Sequence, residues 1–330
     1  MNIFKYRILL FLGLTAILLS GCGGSTKAED VTVLRMGHIQ SESHTWHKGS
    51  EEFARLVEEK TNGSVRVDIY PSSTLGSDRD LLEGMQIGSV DFALVAGVMS
   101  NFYTPYAILE LPYLFEDQAH LESFLYGEAG QKLQDETLEA TGIRGLEFWV
   151  RGPRELTSNV KVETPEDLSG LKIRVPNIEA SVKGWQAMGA NPTPMNFGEV
   201  YSSLQTGVID AQENPLSFST NARIHEVQDY LVMTDHVYGY VQLLTSEKTF
   251  QKLSSEEQQA VQEAAEEATE YQNQLVSEED EAAKQSFLEE GVEIIEVDKE
   301  PFMELVQPVH DELAAKYGQE LYDSIVELKQ

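Results

Sequence analysis

Between residues 31 and 215 the chain alternates segments of strand chemistry with segments of helix chemistry, and few architectures accept that alternation. Residues 31–37 (VTVLRMG) and 65–70 (VRVDIY) are β-branched and alternate in polarity, as strands do. Between them, residues 48–60 carry Phe53, Leu56 and Val57 at helical spacing, and Asn62-Gly63 stops the run. Residues 80–87 read as a short helix, 90–95 (VDFALV) as a buried strand and 143–150 (IRGLEFWV) as another. Thr164-Pro165-Glu166-Asp167 starts a helix with a Thr cap, Pro in the first turn and acids at the positive helix end. Gly170 ends it before the strand 172–175 (KIRV), and 199–205 (EVYSSLQ) form a further helix closed by Gly207. Such a succession predicts α/β architecture with parallel strands. The C-terminal third changes character. Ser254 and Glu257 have the spacing of a capping box, and no Gly or Pro follows before about residue 290. Val261, Ala264, Ala268, Tyr271 and Leu275 mark one face of a long helix there.

The N-terminus predicts export. Lys5 and Arg7 precede an apolar run over residues 8–19, too short for a comfortable membrane span but matched to a signal peptide. The run ends in Leu19-Ser20-Gly21-Cys22, which resembles the lipobox of bacterial lipoproteins; in that class Cys22 is acylated and becomes the first mature residue. Residues 1–21 are then the signal peptide and 22–30 a small, polar tether, and the protein is expected at the outer face of the cell membrane or in the periplasm. With one cysteine in 330 residues, no internal disulfide forms. A formal charge of −31 excludes a nucleic-acid partner, since phosphate backbones demand the opposite sign.

Enzyme signatures are absent: no G-x-S-x-G elbow, no phosphate-binding G-x-x-x-x-G-K-[ST] loop and no H-E-x-x-H pair. His44 and His47 are three apart but have no third ligand nearby, so neither a metal nor any other cofactor is expected. The residues that do suggest a site are arginines. Arg154 follows the strand ending at Val150. Arg174 lies within Leu171-Lys172-Ile173-Arg174-Val175-Pro176, near the carboxyl end of a strand, where open α/β sheets place ligands. A guanidinium grips a carboxylate through two parallel hydrogen bonds. The alternative for Arg174 is a salt bridge at the sheet edge.

Several blocks resemble the solute receptors of tripartite ATP-independent periplasmic (TRAP) transporters of the DctP type. They are Tyr70-Pro71-Ser72-Ser73-Thr74-Leu75-Gly76-Ser77-Asp78-Arg79, Glu110-Leu111-Pro112-Tyr113-Leu114-Phe115, D-L-S-G-L-K-I-R-V-P (167–176), G-A-N-P-T-P-M (189–195), E-V-Y-S-S-L-Q-T-G-V-I-D-A-Q-E-N-P (199–215) and E-V-Q-D-Y (226–230). The resemblance implies a two-lobed α/β fold of the periplasmic-binding-protein kind, with a cleft between the lobes and a long helix spanning both. Lobe I is placed at 31–151 plus 240–279 and lobe II at 152–239 plus 280–330. It also implies a monomeric receptor with no enzymatic activity that delivers a small carboxylated substrate to TRAP membrane permease subunits. Arg174 then matches the selectivity arginine, Arg154 a second arginine, Asn214 a polar contact, Asn177 a supporting amide, Phe197 an apolar wall and Asp78 a first-lobe contact. Where the family's sialic-acid receptors place an amide and a carboxylate, this chain has Ile39 and Ala96. Hydroxyls left unpaired there cost roughly 1–3 kcal/mol each. His38, Gln40 and His44 stand nearby, either as contacts for a different polyol or as surface-loop residues. A sugar acid such as a uronate or aldonate is expected ahead of a C4-dicarboxylate. A signalling lipoprotein binding the same acid is the rival among receptors.

Overall fold

The computed structural model describes residues 31–329. Cys22 and the expected signal peptide and tether lie outside them. Among the described residues nine strands form one sheet: β1 (Thr32–Gly37), β2 (Val65–Tyr70), β3 (Phe92–Val95), β4 (Ile143–Ser158), β5 (Lys172–Val175), β6 (Asn191–Pro194), β7 (Ala211–Pro215), β8 (Tyr230–Ser246) and β9 (Glu293–Glu296). Their order is β2-β1-β3-β8-β4-β7-β5-β6, with β9 beside β8. Parallel pairs occupy both flanks, β2-β1-β3 on one and β7-β5-β6 on the other, as the alternating pattern requires. The two long strands β4 and β8, of 16 and 17 residues, run antiparallel through the middle and join the two lobes.

β4 is longer than its sequence suggests. The strand expected to end at Val150 continues through Arg154 to Ser158. Pro153 has no N–H for the ladder, and the ladder absorbs this with a bulge: Arg151 faces Gly239 while Arg154 faces Val237. Helix starts moved for equally local reasons. Ser77 and Asp80 form a capping box, Ser77 N–H donating to Asp80 Oδ2 at 2.8 Å, so the helix begins at Asp78 and not at Asp80. The Thr164 box forms too, but only the 3-10 turn Pro165–Leu168 follows, and Gly170 ends that segment with a φ of 81°.

The long helix Ser255–Glu289 is capped by Ser254 and Glu257 as expected. At 1.5 Å per residue it is about 50 Å long. Val261, Ala264 and Ala268 are buried, but Tyr271 is exposed and Gln272 takes the inward position. The buried stripe steps 261-265-268-272, following the 3.6-residue repeat, and Gln272 Nε2 donates to Val150 O of β4 at 3.2 Å. One end of this helix packs with Phe53, Trp149 and Val241; the other places Ala283 and Phe287 against Leu216 and Leu231. The C-terminal segment packs in two directions. Phe302 and Val306 pack with Ile173 and Trp185, whereas Leu313 and Ile325 pack with Leu121 and Phe124. Among the described residues no helix is long and apolar enough to cross a membrane.

Candidate functional site

The carboxyl ends of the flanking strands face one another across the bulge in β4, and a cavity opens there with about 460 Å³ of space, its mouth included. β5 presents Arg174, β4 presents Arg151 and Arg154, and β7 presents Asn214. The helix starting at Asp78 contributes its first residue, and Phe197 and Phe218 form apolar wall. The structure thus brings together Arg174, Arg154, Asn214, Phe197 and Asp78. Asn177 lines an adjoining groove that shares Asp78, and its side chain donates to Asn196 Oδ1 at 3.2 Å.

Arg174 is 3 % exposed and sits inside the sheet, between β6 and β7. Nε and one terminal nitrogen donate to Met195 O at 3.0 and 2.7 Å, its guanidinium lies 5.9 Å from the Phe197 ring centre, and it makes no ion pair among the described residues. The edge salt bridge is therefore not the arrangement found. Burial lowers its pKa to about 10, so it stays charged at neutral pH. Arg154, in contrast, is engaged by Glu213 through Nε and a terminal nitrogen, the latter 2.8 Å from Oε1. Burial alone would raise the Glu213 carboxyl, but Arg154 and the His236 hydrogen bond at 2.9 Å hold it at about 2. Asp78 is only half-buried, and the desolvation it does undergo raises its carboxyl to about 7 against the pull of Arg174. Desolvation also raises Glu110, which Arg151 and Arg154 pull down. Three guanidiniums thus outnumber the one carboxylate held firmly ionised beside them, and the excess positive charge suits an anion.

His38 and Gln40 are not on the cavity wall. Both are fully buried, which also removes them from the surface loop, and Ile39 between them takes the wall position. The chain bends at Ile39 and Gln40 just after β1, and of the three side chains Ile39 reaches the cavity. His44 caps the helix Thr45–Lys60 by accepting from Trp46 N–H, while His47 Nδ1 lies 3.1 Å from His38 Nε2. Above the cavity the lobes touch: Ser43 Oγ donates to Asn221 Oδ1 at 2.6 Å, Asn101 Nδ2 to Asn177 O at 2.9 Å, and the Trp46 and Phe218 rings meet edge to face at 5.1 Å.

A buried arginine with no ion pair among the described residues, set between two lobes, is the arrangement of an organic-anion receptor, and comparison with known proteins agrees. Residues 36–317 match the family described as bacterial extracellular solute-binding protein, family 7 (DctP). The chain belongs to that family. The DctP proteins are the solute receptors of TRAP transporters and work outside the cytoplasm. A TRAP solute-binding protein of Roseobacter denitrificans, solved with bound L-galactonate, is similar at 35 % identity and a TM-score of 0.86 over 91 % of this chain and 99 % of that one. One from Chromohalobacter salexigens with bound D-glucuronate has 34 % identity and a TM-score of 0.87 over 90 % and 100 %. The sialic acid-binding periplasmic protein of Vibrio cholerae is 34 % identical over 94 % of this chain and 96 % of its own.

Within this DctP chain, sequence reasoning missed Arg151, Glu110, Trp46 and Phe218 on the wall. Arg151 and Arg154 are three apart, which puts them on opposite faces of a regular strand; only the bulge brings both to the cavity. Glu110 lies in one of the family-like blocks, but among 55 acidic residues only its burial distinguishes its carboxyl.

Proposed function

We propose that this receptor captures a sugar monoacid, a uronate or aldonate, by clamping its carboxylate on Arg174 while the lobes close, and hands it unchanged to TRAP permease subunits. The observation that carries the reading is the Arg174 guanidinium: buried, charged, held by a carbonyl and lacking an acidic partner among the described residues. Such a group costs free energy until an anion meets it. Asn214, Asp78 and Arg154 supply polar contacts and Phe197 an apolar face; Asn177 supports from the adjoining groove. Ile39 and Ala96 on the wall offer nothing to the polar groups of sialic acid. The relatives crystallised with L-galactonate and D-glucuronate support the same ligand class. Calorimetry with D-glucuronate, D-galacturonate and L-galactonate tests it: at least one binds, Arg174→Ala weakens it by roughly 2–5 kcal/mol, and no product appears on incubation. Binding unaffected by Arg174→Ala, or turnover of any of the acids, overturns the reading.

The lobe division proposed is 31–151 with 240–279 and 152–239 with 280–330, the final helices bridging both. We further propose a monomeric receptor anchored through acylated Cys22, because a basic start and an apolar run precede Leu19-Ser20-Gly21-Cys22. Intact mass of membrane-extracted protein should show a lipid-bearing chain starting at Cys22. A chain starting elsewhere without lipid rejects the anchor.

A further inference from the structure

One carboxyl on the cavity wall is buried with hydrogen-bonding capacity left unused among the described residues. Glu110 is 3 % exposed, and its Oε1 has no hydrogen-bond partner among the described residues. Its other oxygen lies 3.9 Å from an Arg151 terminal nitrogen, too far for a hydrogen bond. The pair is nonetheless held in place. A Cβ on Gly97, itself on the wall, would fall 2.4 Å from Glu110 Oε1, and a Cβ on Gly239 would fall 2.3 Å from an Arg151 terminal nitrogen. Arg151 Nε donates to Tyr240 O at 3.1 Å, which fixes the guanidinium. Two glycines thus make room for an acceptor and a donor that attract each other but leave hydrogen-bonding capacity unused, a costly state for buried charges.

We propose that Glu110, set beside Arg151, is a specificity-determining residue that reads a ligand hydroxyl and turns away a second carboxylate. An alcohol satisfies both partners at once: its O–H donates to the Glu110 carboxyl, and its oxygen accepts from the Arg151 guanidinium. A dicarboxylate seated on Arg174 brings instead an acceptor without a proton. Two carboxyls meeting in a buried site cannot both stay ionised, so such a ligand binds only by taking up a proton. Selectivity for polyhydroxy monoacids over dicarboxylates then resides largely in one side chain.

The inference rests on the sugar-acid reading above, and its test separates the two. Calorimetry is run with D-galacturonate, L-galactonate and succinate on the wild type, Glu110→Gln and Gly97→Ala, each checked for folding by its unfolding transition. The glutamine keeps the shape and removes the charge, while the Gly97 methyl displaces the carboxyl. The expected result is a wild type that favours a sugar acid over succinate, and a ratio of the two affinities that falls by roughly 10–100-fold in Glu110→Gln. Gly97→Ala should shift the ratio the same way. A ratio is insensitive to the fraction of folded protein, so a weakened variant still reports. A wild type that binds a sugar acid through Arg174 but keeps its ratio in both variants overturns this inference alone. A wild type that holds succinate as tightly as the sugar acids also overturns it. A wild type that binds neither of these sugar acids nor D-glucuronate overturns the functional reading and this inference with it.

Discussion

Arg174 and Asp78 share one cavity, and their electrostatics oppose each other. Arg174, lowered by burial only to about 10, keeps its charge over the whole neutral range, so a change of affinity there has to come from other groups. Desolvation places Asp78 at about 7, with Arg174 pulling it down. Below that pH the side chain is neutral and leaves Arg174 to the ligand carboxylate; above it, Asp78 competes for the same guanidinium. Affinity for D-glucuronate should therefore fall as pH rises from 6 to 8, by roughly tenfold, and binding near pH 7 should take up a proton. Asp78→Asn should flatten that profile. Calorimetry in buffers of different ionisation enthalpy reads both effects, and an Asp78→Asn profile as steep as the wild type's counts against the assignment. Arg174→Lys should recover only part of what Arg174→Ala loses, because an ammonium restores charge without the planar fork.

The long helix shows how a local signal governs an element that reaches both lobes. Its start is set by the reciprocal bonds of Ser254 and Glu257, and Trp149 Nε1 donates to Thr269 Oγ1 at 2.9 Å, tying its middle to β4. Removing the cap frees helix N–H groups that lie far from the cavity. Ser254→Ala should lower stability by about 1 kcal/mol in denaturant unfolding and leave ligand affinity unchanged. A change in affinity would mean that the helix end takes part in closure. β4 is the opposite case, an element whose function lies in its irregularity. Its bulge aims Arg151 and Arg154 at one cavity, and a strand of regular pleat would present only one of them.

At the scale of the molecule, two lobes joined by β4, β8, the long helix and the final helices also meet over the cavity. Ser43 with Asn221 and Asn101 with Asn177 are hydrogen bonds that water can replace, whereas the buried rings of Trp46 and Phe218 would have to expose apolar surface to part. A ligand bridging the lobes adds contacts available only when they are together, and so shifts the equilibrium toward closure. Small-angle scattering should give a smaller radius of gyration with saturating D-glucuronate than without. Asn221→Ala should enlarge the ligand-free radius and weaken affinity modestly. Identical profiles with and without ligand would mean a rigid pocket.

Sequence alone determined whatever depends on neighbours along the chain. The α/β succession, the Ser254 capping box, the buried face through Phe53, Leu56 and Val57, and Arg174 near a strand's carboxyl end were all legible in that way. Hydrophobic period, caps and glycine stops act over a few residues, and ordered blocks of family resemblance carry longer-range information. Tertiary structure decided which side chains meet. The bulge that unites Arg151 with Arg154, the bidentate hold of Glu213 on Arg154, and the burial of His38 and Gln40 behind Ile39 come from pairing between segments distant in sequence. So does the state of Glu110, one acid among 55, whose chemistry is set by the protein packed around it. Desolvation and partnership are properties of three-dimensional neighbours, and no pattern along the chain encodes them residue by residue.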